Sequence, residues 1–184
     1  MTFDDIETQA RVGDLVFFSG RKLFSWLIRW RSGSRWSHVG IIVYVADEES
    51  GIGAQVVESL EGKGVHLIRL AEWRRDRGKV SLGVVDLGLD VRLAAATHAS
   101  RQRGRRYCSP WQFYRSFSWF WRRVHRLLGI PDDREPQRYF CSELVAESLF
   151  YSGIVMPKSP TCMYPGDVAE LPFVTLSEPV AVPS

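Results

Sequence analysis

Short apolar runs, separated by polar or Gly-containing turns, occupy most of the first half of the chain. The longest covers residues 37–45 and is rich in β-branched side chains, which favour strands. Runs of similar character cover residues 13–18, 54–60, 65–70 and 79–87. Because short connections join successive runs, the pattern predicts an antiparallel sheet of about five strands.

Apolar residues at helical spacing occur between and after these runs. Leu23, Trp26, Leu27 and Trp30 recur at intervals of three and four within residues 22–32. Further helices are predicted at residues 90–103, with Asp90 as the cap, 110–128 and 142–151, and a short turn and a strand at 167–171 and 173–176. The chain is therefore predicted to be an α+β protein, with one domain over residues 1–184.

Composition agrees with a globular protein. The chain has 184 residues, of which 45% are apolar, and this is enough for one hydrophobic core. Residues 1–10 are acidic and lack the apolar centre of a signal peptide, and no apolar run is long enough to span a membrane. We therefore expect a cytoplasmic location, or export by a route that reads no such signal, and peripheral membrane contact is compatible with either.

The stretch Tyr-Phe-Cys-Ser-Glu-Leu-Val-Ala at residues 139–146 places Cys141 in the first turn of a predicted helix. Unpaired backbone N–H groups and the positive end of the helix dipole favour a thiolate there, and the thiolate is the nucleophilic form. The alternative is that Cys141 is a small core residue, as many free cysteines are. The other cysteines, Cys108 and Cys162, show no CxxC spacing, which fits a reduced compartment and not a disulfide framework.

Two residues are suited to serve a nucleophilic Cys141. His38 begins the strongest strand and can act as a general base, because imidazole titrates near neutral pH. Glu58, on the following strand, can accept a proton from the far imidazole nitrogen and fix its tautomer. The plain alternatives are a surface histidine and a carboxylate on the solvated face of a strand. If the strands are adjacent and antiparallel, the two side chains can pair across the sheet.

The remaining histidines, His66, His98 and His125, show no comparable setting. A metal site would need ligands at recurring short spacings, and no CxxC, HxH or HExxH pattern occurs. We therefore expect no metal and no other cofactor.

Four short motifs together resemble a known family. They are Gly-Asp-Leu-Val-Phe at 13–17, Trp-Ser-His-Val-Gly-Ile at 36–41, Val-Val-Glu-Ser at 56–59 and Phe-Cys-Ser-Glu-Leu-Val at 140–145. In this order they resemble the circularly permuted papain-fold hydrolases of the NlpC type, and within them the YiiX/YebB-like group. In ordinary papain-like enzymes the cysteine precedes the histidine, whereas in the permuted group the histidine comes first, as here.

The resemblance implies a permuted papain-like fold with Cys141 as nucleophile, His38 as base and Glu58 as the orienting residue. It also points to a substrate or oxyanion region that includes Tyr107, Trp36 and Ser142. The implied reaction is thiolate attack on an acyl carbonyl, with a thioester that passes to water or to a second acceptor. The substrate stays open between a peptide amide, such as a cell-wall crosslink, and a lipid ester, since the group is similar to the lecithin–retinol acyltransferases.

The segment 101–128 suggests a different class of function. No acidic residue lies between Asp90 and Asp132, and arginines there alternate with aromatic rings. Such a surface suits a lipid–water interface, so we expect peripheral membrane contact through Trp111, Tyr114, Trp119, Trp121 and neighbouring arginines. A module that binds membrane or nucleic acid without chemistry is the non-enzymatic alternative, although the net charge of +3 is low for nucleic acid. The plain alternative is a packed helix whose arginines are solvated.

Overall fold

The computed structural model describes residues 2–20, 23–45, 52–72, 78–108 and 138–182. The predicted helix at 110–128 lies outside these residues. So do the membrane contacts expected of the aromatic residues in that segment, which are Trp111, Tyr114, Trp119 and Trp121.

Four consecutive strands in the first half of the chain are flanked by helices on both sides. In order, the helices and strands are α1 (Phe3–Gln9), β1 (Leu15–Ser19), α2 (Leu23–Ser32), β2 (His38–Tyr44), β3 (Gln55–Leu60), β4 (Gly64–Arg69), β5 (Lys79–Val85), α3 (Leu89–Arg101), β6 (Arg106–Tyr107), β7 (Arg138–Tyr139), α4 (Cys141–Tyr151), α5 (Pro165–Ala169), β8 (Val174–Leu176) and β9 (Val180–Ala181). A 3-10 turn, Pro160–Cys162, precedes α5.

Within the described residues, the main sheet has seven strands in the order β4-β3-β2-β1-β5-β8, and β9 also pairs with β5. Every pair in it is antiparallel. The predicted α+β class is confirmed, and all five predicted strands lie in this sheet. It is wider than the predicted five-stranded sheet because β8, which was predicted as a strand at 173–176, and β9, which was not predicted, both pair with β5. The single domain over residues 1–184 stays a prediction.

Both faces of the sheet are covered. Successive side chains of a strand point to opposite sides, so one strand can contribute to two cores. On one side Leu15 and Phe17 belong to a core with Leu144 of α4, to which α3 also contributes. On the other side Val16 belongs to a second core with Phe3 of α1. This double burial explains why the strands are apolar almost throughout. Among the described residues, no helix is long and apolar enough to cross a membrane.

The starts of two helices, α1 and α3, were not predicted correctly from the sequence. Helix α1 was not predicted, although its Thr2 and Asp5 form a reciprocal capping box that the sequence contains. In α3 the predicted cap, Asp90, is wrong: Gly88 is the N-cap residue, and Asp90 lies in the first turn. A carboxylate there still interacts favourably with the helix dipole, so its sequence signal resembles that of a cap.

A tight hairpin joins β3 to β4 and carries part of the site. Leu60 pairs with Gly64, which has φ of +74°, and the same register places Glu58 opposite His66. The N–H of Val65 donates to the Arg105 carbonyl at 2.8 Å, so the chain leading into β6 lies against the hairpin. Strand β6 then pairs in parallel with β7, directly before Cys141. The hairpin is therefore linked to the start of α4.

We expect Gly64→Ala to destabilise the protein much more than Gly62→Ala. Both glycines have positive φ, which costs an L-residue about 1–2 kcal/mol. A Cβ at Gly64 would lie 2.2 Å from the Arg105 carbonyl oxygen, whereas a Cβ at Gly62 has no neighbour within 4 Å. The total for Gly64→Ala should reach about 3 kcal/mol or more in urea denaturation. Equal losses would show that the Arg105 approach does not constrain the hairpin.

Candidate active site

Cys141 is the first residue of α4 and is 4% exposed. Its neighbours fix the start of this helix. Glu143 accepts a hydrogen bond from the Phe140 N–H at 3.3 Å, and the Ser142 hydroxyl donates to the Met163 carbonyl at 2.6 Å. The first-turn N–H groups of a helix have no intrahelical acceptor. The sulphur is therefore held at a rigid helix start, beside backbone donors and the positive end of the dipole.

The chain leading to Cys141 is also tied to the sheet. The Ser59 hydroxyl of β3 donates to the Tyr139 carbonyl at 2.7 Å. The Tyr139 hydroxyl in turn donates to Glu147 of α4 at 2.7 Å. Because Ser59 is the neighbour of Glu58, one strand positions both the carboxylate and the approach to the cysteine.

His38 lies between Cys141 and Glu58. Its Nε2 lies 2.5 Å from Glu58 Oε2, and its ring also hydrogen-bonds Cys141. Since Nε2 faces the carboxylate, Nδ1 is the nitrogen left for the sulphur. Glu58 is only 4% exposed. The structure thus brings the three residues predicted for catalysis into one row of contacts.

The charges in this row support one another. Burial acts to lower the pKa of His38, but the negative charges of Cys141 and Glu58 outweigh it and raise the pKa to about 10. Burial acts to raise the pKa of Glu58, but His38 and then His66 lower it to about 2. The two shifts thus favour an imidazolium at His38 and an ionised Glu58. An imidazolium next to the sulphur can give a proton to a leaving group.

His66, to which the sequence analysis gave no role, contacts the second oxygen of Glu58. Its Nε2 lies 3.2 Å from Glu58 Oε1, close enough for charge attraction although the ring N–H is not well aligned for a hydrogen bond. Its Nδ1 lies 3.0 Å from the Gly64 carbonyl oxygen. The Gly-Lys-Gly turn at residues 62–64 was the available signal, because pairing outward from it places Glu58 opposite His66.

The residues expected in the substrate or oxyanion region differ in their placement. Tyr107 packs edge-on against Phe140, with ring centroids 5.6 Å apart. Burial, and next the negative charge of Cys141, raises the pKa of its phenol, so the hydroxyl stays a neutral donor. Trp36 packs in the core against Phe17 and is 3% exposed, which favours a packing role. The Ser142 hydroxyl is engaged by a backbone carbonyl, which leaves its N–H as the group that can face a substrate.

A sheet that carries the histidine and the carboxylate, followed by a helix that begins with the cysteine, defines the permuted papain-like class of fold. The model of the permuted papain-like amidase enzymes of the YaeF/YiiX, C92 family matches residues 9–170, and the chain belongs to this family. The protein is therefore a papain-like hydrolase of an amidase family, and the predicted resemblance is confirmed.

A solved structure shows the same fold. The crystal structure of the metalloprotein yiiX from Escherichia coli O157:H7 superimposes with a TM-score of 0.64 at 21% identity. The match covers 92% of this chain and 97% of that chain. No curated protein matches this chain.

Proposed function

We propose that the protein hydrolyses an amide bond through a thioester on Cys141, with His38 as the acid and base and Glu58 as the residue that orients its ring. The observation that carries the proposal is the row of contacts in which the His38 ring hydrogen-bonds Cys141 and, through Nε2, the buried carboxylate of Glu58. This is the arrangement of nucleophile, base and orienting group that defines a catalytic triad.

The reaction begins when the Cys141 thiolate attacks the carbonyl carbon and a C–S bond forms. Backbone N–H groups in the first turn of α4, including that of Cys141, stabilise the oxyanion. His38 then gives its Nδ1 proton to the leaving nitrogen as the C–N bond breaks, which leaves a thioester. Next, His38 takes a proton from water, the hydroxide adds to the thioester, and the acid and the thiolate are released.

Tyr107 is proposed to act on the substrate side of this reaction. Its phenol is a neutral donor near enough to Cys141 for the sulphur charge to act on it. A neutral O–H can donate to a carbonyl oxygen as negative charge develops there. We assign Tyr107 to substrate or oxyanion contact, and we assign Trp36 to packing.

An amide substrate is preferred because the family is one of amidases. Within that class a peptide of the bacterial cell wall is our first candidate. A lipid ester is the second candidate, and the surface of α2 favours it. In that case the acyl group could pass from the thioester to water or to a second acceptor.

A metal is not part of the proposed reaction. The structural relative is described as a metalloprotein, and a metal ion would need several free donor atoms at this site. Each oxygen of Glu58 already lies beside a histidine nitrogen, at 2.5 Å from His38 and 3.2 Å from His66, without a cation between them. Among the described residues, no group of three or more His, Cys, Asp and Glu side chains is arranged to hold a metal. The described part of the site therefore does not fit a resident ion.

Replacing the site residues tests the amidase proposal. With a panel of cell-wall peptides, Cys141→Ala should lose at least about a thousandfold in kcat/KM, and His38→Ala should be comparable. Glu58→Gln should lose less, on the order of a hundredfold, because an amide oxygen still accepts from the imidazole. The thermal midpoint of Cys141→Ala should stay near that of the wild type, since a thiol contributes little to packing.

Cys162→Ala is the matched control, because Cys162 is a half-buried thiol outside the row of contacts and should be dispensable. Full activity of Cys141→Ala would refute the nucleophile. Full activity of Glu58→Gln would reduce Glu58 to a structural residue.

The exposed surface of helix α2 favours a lipid as the partner. Trp26 and Trp30 are 51% and 69% exposed, and their rings stack with centroids 6.3 Å apart. No acidic residue occurs between Asp14 and Asp47, whereas this stretch contains five cations, among them Arg29. Exposed indole rings beside cations suit the head-group region of an anionic bilayer. The helix directly precedes the strand that begins with His38.

Co-sedimentation with phosphatidylcholine vesicles, with and without phosphatidylserine, tests this contact. Wild type should bind the anionic vesicles, and binding should weaken with salt. A double variant, Trp26→Ala with Trp30→Ala, should lose about tenfold in binding. Phe150→Ala is the control, since Phe150 is also 51% exposed but lies at the far end of α4.

Equal binding by the double variant and the wild type would refute the role of α2. Release of fatty acid by the wild type, but not by Cys141→Ala, would favour the lipid ester over the amide.

A further inference from the structure

Both ring nitrogens of His66 face groups that only accept hydrogen bonds. Nδ1 lies 3.0 Å from the Gly64 carbonyl oxygen, and Nε2 lies 3.2 Å from Glu58 Oε1. A neutral imidazole carries one N–H and would turn a lone pair towards one of these oxygens. Only the imidazolium can donate to the Gly64 carbonyl and also keep a lone pair away from the carboxylate, to which Nε2 is close but not aligned for a hydrogen bond. The two neighbours therefore favour a positively charged His66.

Glu58 then lies between two cations. Its Oε2 faces His38, its Oε1 faces His66, and the carboxylate is almost fully buried. A buried charge is costly unless each of its polar atoms has a partner. If Glu58 rotated away from His38, it would also separate from His66. The second contact thus holds the carboxylate in the orientation that the first one needs.

We propose that His66 is a positioning residue of the active site, which as an imidazolium holds Glu58 against His38 and completes a row of alternating charges that ends at Cys141. The proposal rests on Cys141 and His38 being the reacting pair of the proposed function. His66 contacts Glu58, so it acts through that carboxylate.

The hairpin turn and the strands packed against β4 carry several charged and titratable groups. In the turn and on the neighbouring strands they are Glu58, Glu61, Lys63, Arg106, Tyr107, Arg138 and Tyr139. Contact with Glu58 raises the pKa of His66 most, burial opposes this, the Gly64 carbonyl adds to it, and Lys63 lowers it. A raised pKa means that the imidazolium is fully present below the ordinary histidine value. It is lost as the pH rises through the value in the folded protein.

The charge of His66 should be visible at Cys141. A positive charge within the row makes proton loss easier at every neighbouring group. In His66→Gln the side-chain amide can still donate to Glu58 Oε1, but the charge is gone. We expect the pH midpoint of Cys141 alkylation by iodoacetamide, followed by peptide mapping, to rise by about half a pH unit. Lys63→Gln is the charge control: Lys63 is exposed in the turn, so solvent screens it and its removal should shift the midpoint less.

A second variant separates orientation from charge. His66→Phe keeps a ring of similar size but removes the donor, so Glu58 Oε1 loses its partner. On the amide substrate of the wild type, kcat of His66→Phe should fall about tenfold with little change in KM, and His66→Gln should restore most of it.

A direct measurement needs no variant. In ¹⁵N spectra of the wild-type protein at pH 7, both ring nitrogens of His66 should be protonated. A neutral His66 in these spectra, or an unchanged alkylation midpoint in His66→Gln, would overturn the proposal. The proposed function would fail separately, through an active Cys141→Ala.

Discussion

The structure depends on one buried carboxylate. Glu58 lies within the sheet with almost no access to water, and an isolated charge in that position would destabilise the fold. Three neighbouring strands resolve this problem, because β2 supplies His38 and β4 supplies His66 on either side of Glu58 in β3. The register of these strands is therefore a requirement of the site as well as of the core.

The same carboxylate connects the fold to the chemistry. Glu58 keeps His38 protonated and directs its other nitrogen to the sulphur of Cys141. Helix α4 brings the sulphur there with its N-terminal dipole, and the hydroxyl of Ser59, next to Glu58, fixes the chain two residues before Cys141. A thiol without these neighbours would be a weak nucleophile at neutral pH. The packing of one helix start against the sheet thus brings together the two residues that we propose to react.

Local patterns were sufficient to predict much of this arrangement. The apolar runs gave the five central strands, because short apolar runs rich in β-branched residues and bounded by turns are visible without knowledge of their partners. Cys141 was placed at a helix start by the change from a polar loop to a helical pattern. His38 and Glu58 were selected by their chemistry and their positions on successive strands, and the structure shows them in contact.

Other features depended on contacts between distant segments. His66 has no local signal of its own, since its partner is defined only by the register of the hairpin. Strand β9 is two residues long and exists because β5 offers it an edge. Trp36 was expected near the substrate because it belongs to the motif around His38 that carries the family resemblance. A neighbouring position on the chain does not give the direction of a side chain, and its ring lies in the core.

Selective alkylation tests the central claim, that the row of charges makes Cys141 the reactive thiol, most directly. Cys108 and Cys162 are more exposed than Cys141, so accessibility alone would make them faster. We predict the reverse order with iodoacetamide at neutral pH, because the Cys141 sulphur lies at a helix start and in contact with His38. Peptide mapping that shows Cys141 as the slowest of the three cysteines would contradict this claim.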